Sequence, residues 1–242
     1  MSTAGILIIG NEILTAKVQD ENAPFLLQGL RELGIDVRRV HVIPDVIEEI
    51  AQEVASFSKQ FRYVLTSGGV GPTHDDVTMD GVALAFGRKL ELHAGMEELL
   101  RGAMRGAQPN ASQLKMCMLP EESELIATPD LWFPLVKVRN VFVFPGIPRL
   151  LRAKFASLKP LLEGRQVFLR RVFMTCMESD IAESLHELLR EFTSLEVGSY
   201  PAVQQSDYRT QVTLESRDEQ LVARAVQSLI DKIPAGSLLR VE

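Results

Sequence analysis

Short apolar runs alternate with amphipathic stretches of helical length from residue 5 to residue 66. Gly5-Ile6-Leu7-Ile8-Ile9-Gly10 is a β-branched run closed by glycine, as suits a strand buried on both faces. Phe25, Leu26, Leu30 and Leu33 then recur at helical spacing, with Asp20 or Asn22 placed to cap, Pro24 in the first turn and Gly34 as a stop. Val37 to Ile43 alternates as a second strand. Asp45 with Glu48 forms a capping-box pattern opening a helix through Ile47, Ile50, Ala51, Val54 and Phe57. Tyr63-Val64-Leu65-Thr66 reads as the third strand. Strands separated by helices in this way predict an α/β unit, a parallel sheet with right-handed crossovers, whose ligand crevice lies beyond the carboxyl ends of the strands.

Farther along, Val136 to Phe144 alternates around Arg139-Asn140 as a hairpin, which runs into Phe144-Pro145-Gly146-Ile147-Pro148 and a helix over about 149–162. Pro160 to Gly164 looks like a boundary, giving a first domain over 1–162 and a second over 166–242. The second predicts strand 166–175, helix 179–192, strands 195–200 and 208–215, and helix 218–233: a small α+β domain with helices on one face of a short sheet.

Composition narrows the function classes. The 242 residues are 46% hydrophobic and 24% charged, ordinary globular proportions that permit a real core. With 26 basic and 32 acidic residues the net charge is -6, which argues against gripping nucleic acid through bulk positive charge. Cys117 and Cys176 each sit in an apolar run without C-x-x-C spacing and read as buried thiols rather than as a disulfide framework or zinc knuckle. Met1-Ser2-Thr3-Ala4 is not a basic segment leading into a long apolar one, and apolar runs are strand-sized, so the expectation is a cytoplasmic protein with no membrane partner.

The candidate chemistry lies on loops after the first three strands: Gly10-Asn11-Glu12, Pro44-Asp45 and Ser67 to Thr78. In the last, Ser67-Gly68-Gly69-Val70-Gly71-Pro72-Thr73-His74-Asp75-Asp76-Val77-Thr78, the glycines let backbone approach a bulky anion while Ser67, Thr73 and the next helix's free N–H groups donate to phosphate oxygens. The alternative is a tight glycine turn with Thr78 as an ordinary helix cap. Neither a P-loop nor a dinucleotide fingerprint is present. Asp75 or Asp76 alone could serve a helix start, but together with Asp45 and Glu12 they put several acids at one sheet edge. Phosphates beside so many acids require a cation, so Asp76, Asp45 and Asp75 are candidate ligands of a divalent metal, and Glu12 a candidate to orient water. His74 is either a phosphate donor or a surface histidine. Pro145 and Gly146 either wall the pocket or form a rigid turn.

The segments GNEIL at Gly10 to Leu14, Asp20-Glu21-Asn22, VIPD at Val42 to Asp45, TSGGVGPTHDDVT at Thr66 to Thr78, FPGIP at Phe144 to Pro148 and GSYP at Gly198 to Pro201 cover nearly the whole chain in order. The chain thereby resembles the MoaB/Mog (molybdopterin-binding) superfamily, more narrowly CinA-type N-terminal domains, and most of all the molybdopterin-binding-like domain of FAD synthase. The resemblance implies a three-layer, mostly parallel α/β domain followed by a small K-homology-like domain. It implies that Asp76 and Asp45 act at a metal and phosphate site; Gly10, Asn11, Ser67, Gly68, Gly69, Gly71, Pro72, Thr73, Thr78, Pro145 and Gly146 are the candidate contacts to a nucleotide or pterin.

For CinA-type and FAD-synthase-type members it implies metal-dependent cleavage of the pyrophosphate of FAD or ADP-ribose, with Mg, Co or Mn. The alternatives are a molybdopterin-binding protein of cofactor assembly and a non-catalytic nucleotide-binding module. No pattern encodes oligomeric state, though family members self-associate. Residues 166–242 lack a G-x-x-G loop, which argues against sequence-specific RNA binding. Thr128-Pro129-Asp130-Leu131-Trp132-Phe133-Pro134 departs from the small-residue stretch usual in the family, so the loop over the ligand differs in this chain.

Overall fold

The computed structural model describes residues 2–202 and 207–242, and the chain divides into two compact units, 1–164 and 165–242. The first unit opens with β1 (Thr3–Ile9), the single helical turn α1 (Asn11–Leu14), α2 (Asn22–Glu32), β2 (Asp36–Ile43), α3 (Ile47–Gln60) and β3 (Tyr63–Ser67). It continues through α4 (Thr78–Ala85), β4 (Leu90–Leu92), α5 (Ala94–Ala103), α6 (Ala111–Lys115), β5 (Met118–Pro120), β6 (Glu124–Ile126), β7 (Leu135–Val138), β8 (Val141–Phe144) and α7 (Pro148–Leu158). A six-stranded sheet runs β2-β1-β3-β8-β7-β6, with β4 and β5 as a separate pair. Pairs β1–β2, β1–β3 and β3–β8 are parallel, while β7 and β6 close the far edge antiparallel.

Both sheet faces are covered, which is why β1 reads as a continuous apolar run rather than an alternation. Leu7 and Ile9 pack with Ile50, Val54 and Phe57 of α3, Val82 of α4 and Met96 and Leu100 of α5. Ala4, Ile6 and Ile8 pack on the opposite face with Leu26 and Leu30 of α2 and Leu151, Phe155 and Leu158 of α7. The result is a helix–sheet–helix sandwich. Because the chain leaves β1 toward β2 on one side and returns to β3 on the other, the sheet reverses its order at β1/β3, where open α/β sheets hold their ligands.

Two local expectations are corrected. The Asp45–Glu48 pattern does not cap α3, whose first residue follows Val46 with no side-chain cap bond; the Asp45 carboxylate turns instead to the Asn11 backbone N–H at 2.8 Å. Thr78 is not a helix cap either: the cap position is Val77, and Thr78 occupies the first turn with its hydroxyl on the glycine loop.

The second unit consists of β9 (Phe168–Met174), α8 (Glu178–Glu191), β10 (Glu196–Pro201), β11 (Thr210–Ser216), α9 (Glu219–Lys232) and β12 (Leu238–Val241). Its sheet is antiparallel in the order β10-β11-β9-β12. Val172, Met174, Val212 and Leu214 from the sheet meet Ile181, Leu188, Val222, Ala225 and Leu229 from the helices. Strand β12 was not expected; only four residues long, it joins β9 through a register shift. Cys117 is buried, whereas Cys176, expected to be buried too, is half-exposed at the end of β9, and both are free thiols. Among the described residues no helix is long and apolar enough to cross a membrane.

Candidate functional site

The parallel register places Ile9 beside Ile43, Ile8 beside Ser67 and Ser67 beside Phe144, so four strand ends deliver their loops to one edge. Main-chain bonds tie the exits together: Gly10 N–H donates to the Ile43 carbonyl and Gly68 N–H to the Phe144 carbonyl, each at 3.1 Å. Gly68 has φ of 110°, and a Cβ there would lie 2.0 Å from the Ile9 carbonyl oxygen. Gly69, at φ of 62°, would set a Cβ 2.4 Å from the Thr78 hydroxyl. Only glycine permits this left-handed bend at such close approach. Thr78 then clamps it, donating its N–H to the Gly69 carbonyl and its hydroxyl to the Gly68 carbonyl, both at 2.9 Å.

The carboxylates gather around the bend unequally. Asp76 stands against Gly71, where a Cβ would fall 2.7 Å from its Oδ2, and that oxygen accepts from the Thr73 N–H at 2.8 Å and from the Thr73 hydroxyl. Asp45 Oδ1 lies 3.5 Å from the Cβ position of Gly69, which brings a second carboxylate to the same bend. Asp75 points outward beside His74, whose exposed ring lies 3.9 Å away. The Thr73 side chain, then the Asp75 backbone N–H, hold the Asp75 carboxyl below the usual carboxylate range. One hydroxyl proton serves one acceptor at a time, and the Thr73 hydroxyl donates to Asp76. Lys115 from α6 donates to the Thr73 carbonyl and so ties the loop from outside.

Asn22 staples the other side. Its Nδ2 donates to the Ser67 hydroxyl at 2.9 Å and to the Gly146 carbonyl at 2.7 Å, joining α2 to the ends of β3 and β8. The cap position of α2 is Glu21, which makes no side-chain cap bond; Asp20, one residue before it, accepts from the Asn22 N–H at 2.8 Å. The Asn22 Oδ1 is buried without a partner.

Behind the bend opens a chamber of about 730 Å³, within the size range of small-molecule sites. Glu12, Gly68, Gly69, Gly71, Pro72, Asp76, Pro145 and Gly146 line it on the loop side. Met79, Met96, Met116, Trp132, Phe133, Pro134 and Lys154 add an apolar and aromatic wall with one amine. Lys154 is 1% exposed and donates to the Phe133 carbonyl at 2.8 Å and to the Pro134 carbonyl. Its burial pulls the amine down to about 7.

Of the residues expected from sequence, those eight loop-side residues reach the chamber wall. Gly10, Asn11, Asp45, Ser67, Thr73 and Thr78 do not line it and instead hold the lining residues, while Asp75 and His74 face outward. A Mg²⁺-type ion takes one or two carboxylates and completes its shell with water and phosphate oxygens, and Asp76 with Asp45 beside the bend fit that donor set. They are not a self-sufficient centre: among the described residues no three His, Cys, Asp or Glu groups converge as a metal cage. Sequence reasoning missed Asn22 as a staple and Lys154 altogether. Lys154 did carry a signal, a charged residue sharing the helical stripe of Leu151, Phe155 and Leu158.

Residues 5–164 match the family model described as a probable molybdopterin binding domain, and residues 166–242 match that of the FAD synthase middle domain. The chain belongs to the molybdopterin-binding domain family. A probable FAD synthase of Caenorhabditis elegans is 32% identical over 94% of this chain but 49% of its own length. The chain thus spans about half the length of the curated probable FAD synthases it matches. A CinA-like protein of Thermotoga neapolitana is 30% identical over 96% of the chain and 59% of its own length. Among solved structures, the CinA protein of Thermoplasma acidophilum matches with a TM-score of 0.61 and 28% identity, covering 66% of this chain and 96% of that one. The family's mostly parallel α/β fold and the CinA-type resemblance are thereby established for this chain.

Proposed function

We propose that the first unit binds a nucleotide with its diphosphate on the Gly68–Asp76 loop and hydrolyses the pyrophosphate bond of FAD or ADP-ribose. The observation that carries this reading is the clamped bend with Asp76 on its rim, opening onto a chamber with an apolar far wall. Such a chamber suits a ligand that is polyanionic at one end and flat and apolar at the other. The match of residues 166–242 to the FAD synthase middle domain, and relatives named as probable FAD synthases, favour an adenine or flavin nucleotide.

In this reading the left-handed backbone at Gly68 and Gly69 leaves room for phosphate oxygens, and loop N–H groups donate to charge that grows on the attacked phosphorus. Glu12, on the chamber wall, orients the attacking water and takes its proton. The water oxygen forms the new P–O bond as the bridging P–O bond breaks, giving AMP with FMN from FAD or with ribose phosphate from ADP-ribose. Asp76 and Asp45 would hold a divalent cation, which when bound neutralises phosphate oxygens and acidifies coordinated water. Asn22 and Thr78 keep the strand ends and the bend in register throughout.

The test is AMP release from FAD and from ADP-ribose with Mg²⁺, Mn²⁺ or Co²⁺. Turnover lost in Asp76→Ala supports the reading; no release with any of the three metals removes it. The family description favours a second reading, retention of molybdopterin, which predicts that the pterin stays bound through purification while adenine nucleotides do not.

A further inference from the structure

Lys154 has no part in the reaction just described, yet among the described residues it is the only acidic or basic side chain that is buried. Burial pushes its amine down, and no neighbouring charge compensates it. Taking an ammonium out of water without a counter-ion is strongly unfavourable, and a Met or Leu would fill similar space without that penalty. What the amine does that an alkyl chain cannot is hold two successive carbonyls, those of Phe133 and Pro134, from one point. It also lies 4.1 Å from the centre of the Phe133 ring, a cation–π contact. Strand pairing begins only at Leu135, opposite Ile126, so residues 132–134 are not held by the sheet.

Those residues carry the aromatic surface of the chamber. The Trp132 and Phe133 rings lie 5.2 Å apart at 57°, and both line the same cavity as Met79, Met96 and Met116. Aromatic faces and polarisable thioethers favour flat π systems, and neither offers anything to a phosphate.

We propose that Lys154 is a positioning residue for ring recognition: by fixing residues 132–134 it sets a wall that selects ligands bearing a flat, fused heteroaromatic ring, independently of the loop that takes the phosphates. The inference rests on the phosphate-site reading for the other end of the ligand. It makes ring affinity and phosphate affinity separable in this chain.

Trp132 is the only tryptophan in the sequence, so its emission reports the wall directly. The full chain is titrated with riboflavin and adenosine, which have a ring and no phosphate, and with inorganic pyrophosphate plus Mg²⁺, which has no ring. Tryptophan lifetime and calorimetry are the readouts. At least one ring probe is expected to shorten the lifetime saturably, with pyrophosphate leaving it unchanged. Lys154→Met is expected to weaken the ring probe about ten-fold and pyrophosphate by less than about two-fold. Phe133→Leu, which leaves the lysine in place, is expected to weaken the ring probe in the same direction and keeps the test decisive should Lys154→Met not fold. An unchanged lifetime with both ring probes, or equal losses for ring and pyrophosphate in the folded variants, overturns the inference. A wild type that binds the ring and not pyrophosphate instead overturns the phosphate-site reading.

Discussion

The Thr78 hydroxyl donates to the Gly68 carbonyl, ten positions back, at 2.9 Å, closing the loop on itself at the point where its backbone is left-handed. The acceptor is buried, so removing the donor while keeping the shape leaves it unsatisfied. Thr78→Val is expected to lower unfolding free energy by about 1–3 kcal/mol, and Thr78→Ser to retain most of the wild-type value. Urea unfolding of the variants checks this, and equal losses for Val and Ser would show that the hydroxyl is immaterial.

Two glycine substitutions should move stability in opposite directions. At Gly68 a Cβ would meet the Ile9 carbonyl oxygen at 2.0 Å with φ at 110°, so Gly68→Ala is expected to destabilise severely. Gly102, inside α5, has nothing within 4 Å of its Cβ position, and Gly102→Ala is expected to stabilise by about 0.5–1 kcal/mol. Thermal denaturation of the pair distinguishes a bend that demands glycine from a helix that merely tolerates it.

The elements that periodicity identified are those whose burial is set by local spacing. Strand β1 is a β-branched run because helices cover both its faces, and α2 and α3 show their inward stripes plainly. Strands β4, β5 and β6 are three residues each, too short for any period to register. The Asp45–Glu48 pattern misled because Asp45 is claimed by Asn11, 34 residues away, which no local signal encodes. Asn22 reads locally only as a candidate helix cap, and its stapling role stays hidden for the same reason: its partners lie 45 and 124 residues along the chain. At the candidate site the glycine bend and its acids were legible as a motif. The division between residues lining the chamber and residues holding them was not, since it depends on how separate loops meet.

Lys154 should also leave a mark on stability as pH changes. Its folded-state value of about 7 lies below the ordinary 10.5, so between these the unfolded chain alone holds the proton. Burial then costs its full amount below about pH 7, and stability rises with pH through that window, by at most about 1.4 kcal/mol per unit. The carbonyls and the Phe133 ring favour the charged form, which narrows the window from its lower end without changing the sign. Cys117, whose thiol burial pushes up, works in the opposite sense at alkaline pH, but it is common to wild type and variant. The stability of wild type relative to Lys154→Met is therefore expected to increase from about pH 7 to about pH 9 in urea unfolding. A difference that does not vary with pH would contradict a buried, titrating amine.

Asp76 on the loop rim and Asp45 beside Gly69 are the groups assigned to a cation shared with the ligand's diphosphate, and calorimetric titration of a non-hydrolysable ADP-ribose analogue with a methylene-bridged diphosphate into the full chain reads that assignment most directly. With Mg²⁺ present, wild type is expected to bind at least about ten-fold more tightly than with chelator, the difference of about 1.4 kcal/mol that a bridging ion should readily supply. Asp76→Ala is expected to bind weakly and with no response to Mg²⁺. Equal wild-type affinity with and without the metal, together with unchanged affinity in Asp76→Ala, would contradict the account.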